Sequence, residues 1–150
     1  VFTAQEKLES ERLADAFLKN SNLVKYLNKS QTEIPMAGEV MGMPFRGKAD
    51  IITKTGQVVD LKTTTNIENF RKSAYRLSYD LQCFIYCNLF DVSFKDFLFI
   101  ALDKDTLVPK ICDVSYEFYM SGEEKCERAI KEYINNVDKD LNEYTLWEEL

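Results

Sequence analysis

Apolar positions recur along the chain with two different periods, and the switches between them divide it into elements. Thr3 followed by Glu6 has the form of a capping box, and Leu8, Leu13, Phe17 and Leu18 then fall into a stripe at helical spacing. Leu23, Val24 and Leu27 extend the stripe beyond a break near residues 20–22, so the pattern predicts helix over about residues 4–26. Residues 32–52 read as extended, with Met41-Gly42-Met43-Pro44 turning the chain between two strands. Residues 50–53 and 57–61 form the clearest hairpin, around Lys54-Thr55-Gly56, with Gly56 at the left-handed position of a three-residue loop.

The period then lengthens. Phe70, Ala74, Leu77, Leu81, Phe84, Ile85 and Leu89 predict a long amphipathic helix over residues 66–89. Residues 94–102 read as a strand, residues 103–106 as a turn and residues 107–114 as a returning strand. A charged helix over residues 123–141 is expected to turn Cys126, Ala129, Ile130, Tyr133, Ile134 and Val137 inward, with Tyr144, Leu146 and Trp147 packing back on the body. Without an internal repeat, low-complexity segment or linker, the order predicts one α+β domain over residues 1–150, a mixed sheet flanked by helices.

Composition narrows the function classes. With 45% hydrophobic and 29% charged residues the chain has the balance of a soluble globular domain, and no apolar run reaches the length of a membrane span. No signal peptide is visible, and Val rather than Met at position 1 leads us to expect a piece of a longer protein. Cys83, Cys87, Cys112 and Cys126 form no C-x-x-C pair and read as reduced thiols, which points to a cytoplasmic setting. The net charge of −6 argues against a protein that simply coats nucleic acid, yet a catalytic site for DNA needs only a local basic strip. The chain has no His, which excludes imidazole acid–base chemistry and His metal ligands within it.

The hairpin carries the candidate chemistry. If Thr53 pairs with Gln57, then Asp50 lies opposite Asp60, and Asp60 and Lys62 share a side of their strand. Facing carboxylates repel, the more so between the apolar neighbours Ala49, Ile51, Ile52, Val58, Val59 and Leu61, which predict strands buried on both faces. A divalent cation with a preference for oxygen relieves that repulsion, and magnesium is suited to it. Lys62 would then stabilise charge on a scissile phosphate or hold the attacking water. Taken alone, D-x-K is a common tripeptide that usually marks a solvated strand end; the opposed acid, tight turn and apolar strands distinguish this one. On the helix, Tyr75, Tyr79, Gln82 and Tyr86 fall on one stripe that suits phosphate and base contacts, with Arg71, Lys72 and Arg76 adding positive charge.

Together, Gly47-Lys48-Ala49-Asp50, Val59-Asp60-Leu61-Lys62-Thr63-Thr64, and Tyr79-Asp80-Leu81-Gln82 with Tyr86 resemble the PD-(D/E)XK nuclease superfamily. Within it they are similar to the RecB-like branch, and most of all to RecE-type phage and prophage exonucleases. The resemblance implies a restriction-endonuclease-like core and a magnesium-dependent exonuclease acting on double-stranded DNA, with manganese as a possible substitute. It implies a role in recombination beside a single-strand annealing protein, in a homo-oligomeric ring. Asp50, Asp60 and the Leu61 backbone carbonyl would be metal ligands, Lys62 the catalytic lysine, and Gln82 and Tyr86 helix residues facing the site and the DNA. The branch carries a further His or Glu on an N-terminal helix; that helix is expected ahead of Val1, with Glu11 or Glu33 as substitutes within the chain. The Cys spacing does not fit the iron–sulfur cluster of some relatives. Two other readings stay open, a RecB-like endonuclease and a non-catalytic DNA-binding or assembly module.

Overall fold

The computed structural model describes residues 3–137. Helix α1 (Ala4–Lys19) opens on the Thr3–Glu6 capping box, and the Asn20 side chain caps the short α2 (Ser21–Val24). The expected single helix is thus two, followed by a 3-10 turn, Lys25–Leu27. Strands β1 (Gln31–Val40), β2 (Met43–Ile52) and β3 (Val58–Thr64) follow, then α3 (Phe70–Arg76) and α4 (Tyr79–Leu89). Strands β4 (Phe97–Asp103) and β5 (Pro109–Asp113) lead into α5 (Tyr116–Asn136).

The sheet order is β1-β2-β3-β4-β5, antiparallel except for the parallel pair β3–β4. Parallel pairing demands a crossover, which α3 and α4 supply. β4 is buried along its whole length, as its unbroken apolar run requires of a strand covered on both faces. On one face Ala49, Val58, Phe97, Phe99 and Ala101 pack against α3, α4 and the start of α5. On the other, Ile51, Val59, Leu98 and Ile100 meet Phe17, Leu23, Tyr26 and Leu27.

Turn chemistry places both hairpins as expected. Met41 and Gly42 both adopt positive φ between β1 and β2, the conformation a two-residue hairpin turn asks for. Gly56 (φ +88°) closes the β2–β3 loop, with Thr53 N–H donating to Gln57 O at 2.9 Å and Gly56 N–H to Thr53 O at 2.9 Å.

Three expectations are corrected. The helix over residues 66–89 is broken where Ser78 takes a left-handed φ of +57°, and Leu77, expected on the buried stripe, is 49% exposed. The last helix begins at Tyr116, capped by Ser115 onto Phe118 N–H, seven residues before the sequence pattern becomes clear. Along it Cys126 is buried and Ile130 half-buried, but Ala129, Tyr133, Ile134 and Val137 are exposed. Tyr144, Leu146 and Trp147 lie outside the described residues.

Candidate active site

The β2–β3 ladder holds the register read from the sequence for two pairs, Ile51↔Val59 and Ile52↔Val58, and stops there. The next pair would be Asp50 with Asp60, but the strands part. Asp50 Oδ2 instead accepts the Leu61 N–H at 2.7 Å, a donor freed by the missing ladder bond. The β1–β2 ladder omits a pair at the same level, Glu33 with Asp50, and Glu33 has a left-handed φ of +56°. Ala49 packs on the α4 side and Ile51 on the opposite side although they stand two positions apart, where alternation would put them on one face. Alternation therefore slips at Asp50, and its carboxylate lies toward β3 rather than squarely across from Asp60.

Asp60 is 2% exposed and faces α4. Its Oδ1 accepts from Gln82 Nε2 at 2.7 Å. Its Oδ2 is buried and ion-paired at 2.8 Å with Lys62 Nζ, whose ammonium also donates to Gln82 Oε1 at 2.7 Å. Lys62 Nζ also stands 4.4 Å from the Tyr79 ring centroid, a cation–π contact that steadies the ammonium. Burial is the main cause that pushes the Asp60 carboxyl up to about 6; Lys62 opposes it, the Asp50 charge adds to it, and the Gln82 hydrogen bond opposes it.

Asp50 and Lys62 both line a groove of about 470 Å³, together with Glu33, Leu61, Thr63 and, from α1, Leu13, Ala14, Phe17 and Leu18. Leu61, expected to be buried, is 40% exposed and lines this groove. Glu33 ion-pairs with Lys48. Glu11 is not among the groove residues and pairs at 3.8 Å with Lys7 on the exposed side of α1.

The tyrosine stripe is divided by the break at Ser78. Tyr79 and Gln82 reach the Asp60–Lys62 pair, whereas Tyr75 turns away, edge-on to Phe118 of α5 at 4.9 Å. Arg76 is exposed at the end of α3. Tyr86 is half-buried and serves β2 rather than an open surface: its hydroxyl donates to Lys48 O at 3.1 Å and accepts from Lys48 N–H at 3.3 Å. The ring lies on Gly47, where a Cβ would come within 2.6 Å of it.

Sequence reasoning missed the support behind α4. Asp80 is fully buried and accepts from Ser121 Oγ (2.7 Å) and Lys125 Nζ (2.8 Å), while Lys125 also donates to Tyr75 O (2.9 Å). A lone carboxylate among apolar helix positions was the available signal.

The donor set fits a hard cation. The donors expected from the sequence, the Asp50 and Asp60 carboxylates and the Leu61 carbonyl, are all oxygen, and Asp60 Oδ2 is buried beside Lys62 alone. Among the described residues no cluster of three or more Asp, Glu, His or Cys is placed to hold a metal, so water and phosphate oxygens would complete the shell.

A family model described as a PDDEXK-like domain of unknown function (DUF3799) matches residues 5–143. The crystal structure of an exonuclease candidate from Eubacterium rectale superposes with a TM-score of 0.75 at 16% identity, over 100% of this chain and 66% of that one. The chain thus spans just under two thirds of that protein's length. A second solved structure, SSO0001, gives a TM-score of 0.49 at 17% identity, over 87% of this chain and 64% of that one. No curated protein matches the chain.

Proposed function

On the premise that this chain belongs to the family of PDDEXK-like domains of unknown function, and through it to the PD-(D/E)XK nuclease superfamily, we propose that it is a divalent-metal-dependent exodeoxyribonuclease acting on the ends of double-stranded DNA. One observation carries the reading: Asp60 and Lys62 form a buried ion pair at 2.8 Å, held by Gln82 and Tyr79 beside Asp50. Asp50, Asp60 and the Leu61 carbonyl would hold magnesium, or manganese in its place. The ion would supply Lewis-acid polarisation of the phosphate and neutralise the two carboxylates.

The chain's own residues account for the rest. Lys62 presents an ammonium next to the acids, placed to stabilise charge gathering on the phosphate oxygens as the phosphodiester bond breaks. Gln82 bridges Asp60 and Lys62 and fixes both side chains before substrate arrives. Tyr79 lies under the ammonium and limits its rotation. The exonuclease candidate from Eubacterium rectale supports an end-directed reading, and the RecE-like motifs support a recombination role with a single-strand annealing partner and a ring-shaped homo-oligomer.

The decisive assay supplies magnesium and compares linear with covalently closed circular duplex, using the parent chain and Asp60→Ala. We expect nucleotide release from the linear substrate alone, and none from the variant. Cleavage of the closed circle would make the protein an endonuclease. Undiminished cleavage by Asp60→Ala would overturn the site.

A further inference from the structure

We propose that the exposed face of the β1–β2 arm is the track for the DNA strand beside the scissile bond, with Arg46 and Lys48 binding successive phosphates. The inference rests on the nuclease reading and adds a substrate path to it.

Gly47 turns its α-carbon toward Tyr86 and α4, so its neighbours Arg46 and Lys48 stand on the other face of β2. Both are exposed, and the same strand reaches Asp50 two residues beyond Lys48. Side chains two apart on a strand are separated by about 6.6 Å. That matches the separation of neighbouring phosphates along one nucleic-acid strand, so two cations at this spacing can meet two phosphates without distortion. Lys48 has Pro35 as its cross-strand partner and Arg46 has Ala37, short side chains that leave the long cationic ones uncovered. A shallow concavity of about 530 Å³ lies over these four residues, Met36 and Gly47.

The arm also shows where the track ends. Beyond Arg46 the strand reaches Pro44, paired with Glu39, where a phosphate would meet a carboxylate instead of a cation. At the inner end Glu33 holds Lys48, so an arriving phosphate competes with Glu33 for that ammonium. The chain is acidic overall, at −6, and Arg46 makes no hydrogen bond or ion pair among the described residues, so its charge is available to a ligand.

Steady-state cleavage of a short linear duplex, repeated over a salt series, tests the inference with Arg46→Gln, Lys48→Gln and the double variant. We expect the KM to rise several-fold for each single change and about tenfold or more for the pair, with a much smaller effect on kcat. The log–log dependence of affinity on salt should flatten by about 0.9 for each duplex phosphate that is no longer neutralised. Lys131→Gln, on the exposed side of α5, should leave the KM unchanged. A double variant with the parent KM and salt slope would overturn the track while leaving the nuclease reading intact. A parent chain that neither binds nor cleaves the duplex would bring down both.

Discussion

Asp60 sits where burial and charge oppose each other, and that conflict is measurable. Its carboxyl is raised to about 6, so between about pH 4 and 6 the folded chain holds a proton that the unfolded chain has released. Stability of the metal-free protein therefore falls as pH rises across that window, by at most about 3 kcal/mol, with the loss complete above it. Urea unfolding in a chelator at pH 4.5 and 7 should show this slope, and Asp60→Asn should flatten it; an unchanged slope in the variant would assign it to another group. Gly47 makes a second prediction at this scale. A methyl there must push back the Tyr86 ring, so Gly47→Ala should cost about 1–3 kcal/mol, read as a lower urea midpoint. The hairpin register and the D-x-K residues were legible because alternation and turn chemistry are local. The slip at Asp50 was not, since it depends on Glu33 adopting a left-handed backbone opposite it.

Among the elements, the helices show what periodicity cannot supply. Nothing in Leu77-Ser78 marks a helix end, for neither Gly nor Pro is present; the left-handed Ser78 lets α3 and α4 follow different directions against the sheet. Gly122 misleads in the opposite sense. The helix expected from residue 123 in fact runs through it, and a Cβ there would come within 2.1 Å of Asp80 O, so Gly122 marks a close helix crossing. Beside that crossing, Asp80 and Lys125 join α4 to α5. Removing the cation leaves a buried carboxylate with only the Ser121 hydroxyl and the Leu81 N–H, so Lys125→Met should destabilise the fold by about 3–5 kcal/mol in denaturant titration. A near-parent midpoint would show that water reaches Asp80.

For the whole molecule, layer order and sheet class followed from the order of strand and helix patterns, and the family match and shared fold agree with them. The division of the tyrosine stripe did not, because it is set by how α3 and α5 meet, with Tyr75 against Phe118. If Asp50 and Asp60 hold a cation, magnesium should raise the melting temperature more at pH 7.5 than at pH 5.5, where protons compete for Asp60. Asp60→Asn should remove most of that rise; an equal rise in the variant would place the ion elsewhere.

The Asp60–Lys62 pair depends on residues far along the chain. Lys62 is steadied by Tyr79 and Gln82, whose helix is in turn anchored by Lys125 of α5. A ribosome that has released only β1, β2 and β3 has made both acids and the lysine but neither helix that sets them in place. In a nascent chain the pair would thus lack its supports until the last described helix has emerged and docked, so the site is completed only at the end of synthesis of the described residues.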